Sequence, residues 1–176
     1  FNGLVYARQK GLKKLHQFDL FKPPFHETFD VICLFDVLEH QQEDQNALES
    51  LKTMLKPGGK IILTVPAHQW LWSRDDVLAG HKRRYTKSQL KELFAACDLE
   101  PLVVDYFFIL ILPFLFLRTM LKRDFKGPIE KGERFDFGIS SIANGLFHLL
   151  TKLEFSLDWL LPNRGGGSLL AIVRKK

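Results

Sequence analysis

A chain of 176 residues with 46% hydrophobic content and 16 phenylalanines can bury one full core, is too short for two comfortable domains, and is too apolar to be disordered. Its net charge of +5 and pI near 9.2 allow an acidic partner without requiring one. Nucleic acid is not expected, because the basic residues are scattered and not interleaved with aromatics on one strand face. Cys33 and Cys97 have no paired spacing, and no charged-then-apolar leader precedes them; both read as small core hydrophobes in a reduced, cytoplasmic compartment.

Residues 1–10 place Leu4 and Ala7 on one face, with Gly11 where a helix C-cap glycine belongs, and predict the tail of a helix. Leu15 to Asp19 is a short strand candidate, and the Pro23-Pro24 pair makes Phe21 to His26 a loop. Phe29 to Phe35 is almost continuously apolar, as expected of a parallel strand covered on both faces; it delivers Asp36, Glu39 and His40 to its C-terminal edge.

Ala47, Leu48, Leu51, Met54 and Leu55 recur at helical spacing between Glu43 and Leu55, and Pro57-Gly58-Gly59 stops the pattern before a buried strand, Lys60 to Pro66. A loop rich in Trp, His and Arg follows. Thr86 and Gln89 then form a capping-box signature for a helix burying Leu90, Leu93, Phe94 and Cys97, and Pro101 to Phe108 is the next strand. Strands and helices alternating at this spacing predict an α/β protein with a mostly parallel sheet.

Tyr106 to Leu117 carries no charge, yet even extended back to Leu102 it spans 16 residues and includes Asp105, short of the roughly 20 needed to cross a bilayer. It reads either as a buried strand continuing into a helix or as an interfacial membrane patch flanked by Arg118, Lys122 and Arg123. Gly127 to Gly138 reads as a loop. Ile142, Leu146, Leu149, Leu150, Leu153, Leu157 and Leu160 form a helical stripe, core or partner surface, with Asn144 and Glu154 solvated or satisfied within the helix. Ser168 to Val173 is a final strand.

Asp19-Leu20, FDVICLFDVLEH, LKPGGKIILTVPA and GHKRRYTKSQLKELFAACDLEPL, in this order and at these separations, strongly resemble a class I S-adenosylmethionine-dependent methyltransferase from about Val5 to Phe108. The resemblance implies a Rossmann-like sheet of order 3-2-1-4-5-7-6 with an antiparallel last strand. This chain would supply strands 3 to 7 in a single domain over 1–176, with 110–162 as a helical cap inserted before the last strand. It also implies that Asp19 accepts from the adenine amino group of the cofactor, that Leu20 packs near the ring, and that Phe35 and Asp36 border the methionine end. The glycine-rich cofactor loop and the ribose-binding acid have no counterpart. The chain is therefore expected to be a C-terminal portion that neither folds well nor binds S-adenosylmethionine by itself.

Methyl transfer from a sulfonium needs positioning, and a base only when the nucleophile starts protonated. His81 and Tyr85 are the catalytic candidates, and Arg83 and Arg84 can clamp a phosphate or carboxylate. For His81 and Arg84, pairing with acids such as Asp75 and Asp76 is the competing reading. His40, Trp70 and Trp72 are candidate substrate contacts, the indoles alternatively packing onto the cap. DVLEH also resembles the ExxEH signature of metal-assisted branches of the superfamily, with Asp for the first Glu and His68 or His81 as a further ligand. No metal is expected, and Glu39 should instead cap or salt-bridge within its turn. The acceptor is expected to be a small or lipid-linked molecule, with peripheral membrane contact through the cap. The contrasting reading is a non-catalytic membrane-associated or partner-binding module derived from such an enzyme.

Overall fold

The computed structural model describes residues 2–123, 140–157 and 165–176. Four strands, β1 (Phe29–Phe35), β2 (Leu55–Pro66), β3 (Leu99–Phe107) and β4 (Ser168–Lys175), form one sheet in the order β1-β2-β4-β3. β1 and β2 are parallel, and β4 runs antiparallel to both β2 and β3. Three co-directional strands with an inverted last strand inserted before the edge reproduce the 4-5-7-6 half of the expected order.

β2 and β4 are central, so their inward residues Ile61, Leu63, Val65, Leu169, Ala171 and Val173 are completely buried. Against them pack α2 (Asp44–Met54) through Ala47, Leu48 and Leu51 and α4 (Lys87–Ala96) through Leu90 and Phe94. The predicted capping box closes α4: Thr86 Oγ1 accepts from Gln89 N at 3.3 Å, and Gln89 Oε1 accepts from Thr86 N at 2.9 Å. Gly58, at φ 74°, and Gly59, where a Cβ would sit 2.9 Å from Lys56 O, turn the chain where β1 and β2 lose register between Phe29 and Val31.

Several expectations are corrected. Residues 15–19 form no strand: a strand needs a hydrogen-bonded neighbour, and none of the described strands lies beside them. β1 is an edge strand whose second face no described residue covers; Val31 and Phe35 are 47% and 60% exposed, and Cys33 is exposed too. Cys97 is buried as expected, and burial pushes its thiol up to about 11. The stretch read as a loop after β2 contains α3 (Arg74–Ala79), capped by Ser73 and Asp76 and ended by Gly80 in the left-handed conformation.

Beyond β3 come α5 (Leu112–Arg123) and, among the described residues, α6 (Ser141–Ser156). The uncharged stretch is therefore strand then helix, while the loop expected over 127–138 lies outside the described residues. Phe114 and Phe147 join the two helices at 4.6 Å, and Thr119 Oγ1 donates to Leu71 O at 3.2 Å, tying α5 to the loop after β2. The α6 stripe is not core: Ile142 is 87% exposed, and Leu146, Leu149 and Leu153 are exposed as well. Glu154 is the inverse surprise, buried and accepting from Leu110 N at 3.1 Å. No described helix is long and apolar enough to cross a membrane.

Gly166 and Gly167 bring the chain into β4 between these helices and the sheet. A Cβ on Gly166 would run into the Phe107 backbone, including N and C at 3.0 Å. Gly166→Ala is expected to lower stability by on the order of 1–3 kcal/mol, read as a reduced midpoint in thermal unfolding of the intact protein.

Candidate active site

The C-terminal ends of β1, β2 and β3 and the start of β4 meet at a cleft of about 400 Å³, where Asp36, Pro66, Phe108 and Ser168 line the floor. α5 and α6 close it with Ile111, Phe114, Leu115 and Phe147. Asp36 and Phe108 turn away from their strands at φ 52° and 63°, and His68 beyond β2 at 59°; such left-handed non-glycine residues are uncommon and cluster at functional edges. Thr64 holds Asp36, accepting from its backbone N–H at 3.1 Å through its carbonyl and donating from Oγ1 to Asp36 Oδ1 at 3.2 Å.

The third wall is an ion cluster built on α3. Asp76, 1% exposed, accepts from Ser73 N at 2.9 Å, His81 Nδ1 at 2.8 Å and Arg84 Nε and Nη2 at 2.8 and 3.1 Å. Burial alone would raise the Asp76 pKa, but hydrogen bonds from His81 and Arg84 hold it below the usual carboxylate range. Arg118 makes the parallel pair with Asp75 at 2.9 Å. Of the two readings of His81 and Arg84, the acid pairing is thus realised, and it is this pairing that sets both residues in the cleft wall.

Tyr85 and Arg83 point elsewhere. The Tyr85 hydroxyl donates to Asp44 Oδ2 at 2.9 Å, and the Arg83 guanidinium reaches the same oxygen at 2.9 Å and Gln42 O at 2.8 Å. Burial and the adjacent Asp44 charge raise the Tyr85 pKa strongly, so the phenol stays protonated. Both residues face a separate open groove between α2 and α4. Neither indole lines the cleft: Trp70 stacks on His68 at 5.3 Å and meets Phe116 of α5 at 5.8 Å, and Trp72 is half-buried. His68 packs on Tyr106, its imidazole pKa lowered by burial and by Arg84.

Glu39 departs most from expectation. It makes no capping or salt-bridging hydrogen bond; it is 0% exposed and neither carboxylate oxygen has a hydrogen-bond partner. His81 Nε2 lies at ion-pair distance, 3.8 Å from Oε1, and burial, reinforced by Asp36, pushes the Glu39 pKa up to about 7. Sequence offered one signal, an acid three residues after a strand-end acid, which is one short turn back into the same cleft. His40 stands edge-on to His81 at 4.8 Å, its Nδ1 3.4 Å from Gly80 O. Ligand atoms of Glu39, His40 and His81 lie within 4.8 Å of one another.

Of the residues that the resemblance assigns to the cofactor, Asp19 is exposed and accepts from Phe21 N through Oδ1 at 2.9 Å, and Leu20 packs partly buried on the core. Phe35 leaves an apolar ring beside Asp36 at the uncovered edge of β1.

Residues 5–104 match the family model described as a methyltransferase domain, more than half of the chain. No curated protein matches. Among solved structures, the S-adenosylmethionine-dependent methyltransferase of Mesorhizobium loti superposes with a TM-score of 0.59 at 12% identity, over 97% of this chain and 74% of that one. The [4+2]-cyclase SpnF follows with a TM-score of 0.52 at 19% identity, over 98% and 60%. A Haloferax volcanii chain assigned as a methyltransferase, complexed with the activator Trm112, gives 0.51 at 15% identity, over 90% and 59%. The chain thus spans 59% to 74% of the length of these three structures. A cyclase on the same fold shows why architecture alone does not fix a reaction. With the sheet order and the matched residues in agreement, the chain belongs to the methyltransferase domain family.

Proposed function

We propose that this chain carries the acceptor half of a methyltransferase site and directs a methyl group to oxygen or nitrogen of a small or lipid-linked molecule seated in the cleft. The observation that carries this reading is the pair of carboxyls lining the cleft, Asp36 held by Thr64 and the buried Glu39, beside an imidazole whose other nitrogen is fixed by Asp76. When bound, S-adenosylmethionine supplies an electrophilic methyl on a sulfonium, an excellent leaving group. Asp19, Leu20, Phe35 and Asp36 are assigned to hold it along the β1 edge.

His81 takes the proton of the acceptor at Nε2, and Asp76 fixes the opposite nitrogen so that Nε2 faces the cleft. Tyr85 serves the same centre from outside: its backbone pairs with Ala67 and its hydroxyl is anchored on Asp44, which locks the segment bearing His81 and Arg84 onto the end of β2. α5 and α6 act as the cap that excludes water. In the intact protein, His81→Gln is expected to lower turnover by on the order of 10²- to 10⁴-fold, with affinity for S-adenosylmethionine retained in calorimetry. Equal turnover in variant and parent would remove the assignment.

The exposed apolar side chains of α5 and α6, among them Leu121, Ile142 and Phe155, support a cap that touches a bilayer. The intact protein is expected to co-sediment with vesicles, and more weakly after Ile142→Asp with Phe155→Asp. Absence of binding to neutral and anionic vesicles alike rejects the membrane contact.

A further inference from the structure

We propose that the methyl acceptor is an amine carried on an apolar body, and that its nitrogen is received between Asp36 and Glu39. The charges of the cleft wall point to this. Four strongly ionic side chains line it besides His81: Arg84, Arg118, Asp36 and Glu39. Both guanidiniums are already matched, Arg84 by the buried Asp76 and Arg118 by Asp75, so neither brings net positive charge to a ligand. Among the described residues Asp36 pairs with no cation and accepts from Thr64 Oγ1, and Glu39 is completely buried with no hydrogen-bond partner on either oxygen, its ion-pair contact being His81 Nε2 at 3.8 Å.

A buried carboxyl without partners is costly, and a donor with positive charge is the group that relieves it. A phosphate or carboxylate head would add a third anion to this end of the cleft, where like charges at close range repel. The opposite end is built from Ile111, Phe114, Leu115 and Phe147, which offers an alkyl or aryl body a dry wall and an ammonium two aromatic faces near its path.

Every titratable group facing Glu39 takes part. From its own turn come Asp36 and His40; from the loop after α3 come His81 and Arg84, the latter drawn toward Asp76. The ammonium gives one proton to His81 Nε2, leaving a neutral amine and an imidazolium that faces Glu39 at 3.8 Å. With the donor bound, the nitrogen lone pair would form the N–CH₃ bond as the S–CH₃ bond of the sulfonium breaks, its electron pair staying on sulfur. The products would be a methylammonium cation and a neutral thioether, and the proton on His81 leaves to solvent.

This inference rests on the methyl-transfer reading for its chemistry, but amine binding is measured separately from turnover. With the intact protein and S-adenosylmethionine, n-octylamine, n-octanol and n-octyl phosphate are compared as acceptors by release of the demethylated cofactor, and by calorimetry without the donor. The amine is expected to exceed the alcohol in kcat/KM by about 100-fold or more, with no turnover of the phosphate. Asp36→Asn, at an exposed position that folding tolerates, and Glu39→Gln are each expected to erase most of that ratio and to weaken amine binding in calorimetry. Equal or better use of the alcohol or phosphate overturns the proposal, as does an amine preference unchanged in both variants or abolished by EDTA. Amine binding that is lost in Asp36→Asn but never leads to methylation upholds the acceptor class and sinks the methyl-transfer reading instead.

Discussion

Asp76→Ala is expected to destabilise the intact protein by about 3 to 5 kcal/mol, the usual cost of removing one partner from a buried ion cluster. The carboxylate accepts from Ser73 N and Oγ at the α3 cap, from His81 and twice from Arg84. Its loss leaves a guanidinium without its counter-charge and unties the N-terminus of α3. Its pKa is lower folded than unfolded, so its contribution is complete above the ordinary carboxylate value of 3.8 and is lost as pH falls through the folded value. Urea unfolding of parent and variant should therefore differ at pH 7 and converge in strong acid. A midpoint shift of less than about 1 kcal/mol at pH 7 would mean that the cluster is solvated and not structural. His81→Ala in the same background should add little beyond the single change, since both remove the same link.

Most of the sheet was legible because its central strands are written as apolar runs. KIILTVP and SLLAIV fall on β2 and β4, and periodicity plus caps place α2 and α4 to within a residue or two. The strand order came from the family resemblance; no local pattern encodes which strand lies beside which. α3 was missed although SRDDVLAG carries an N-cap serine, an acid at the third helical position and a terminal glycine, because six residues are too few to show periodicity. β1 was misjudged for the opposite reason, and the α6 stripe takes the exposed one of its two readings. An apolar residue records what it can bury, and both faces are left open by the described residues.

At the site, His81, Arg84 and Asp36 were legible as chemistry-bearing residues and do line one cleft. Their pairing was not, since Asp75 and Asp76 are equivalent in sequence and only the fold gives Asp76 to His81 and Arg84 and Asp75 to Arg118. Tyr85 and Arg83, adjacent to them in the chain, alternate onto the other side and reach Asp44. Residues next to one another in an extended segment point in opposite directions, which sets Arg84 apart from Arg83 and Tyr85; His81 does not follow this alternation and is set by its bond to Asp76.

Glu39→Met is expected to separate stability from activity. The glutamate side chain is completely buried with both oxygens unpartnered, and burial holds its pKa near 7, so the native state carries a desolvation cost that a methionine of similar length does not. Stability should rise by about 1 to 3 kcal/mol, while methyl transfer to an amine falls to background. His81 should keep its place, because its bond to Asp76 does not involve Glu39. The measurement is paired: thermal or urea unfolding for stability, and donor turnover with n-octylamine for activity. A variant both less stable and inactive would make Glu39 an ordinary structural acid. A more stable and inactive one would place it among residues kept for chemistry at the expense of the fold.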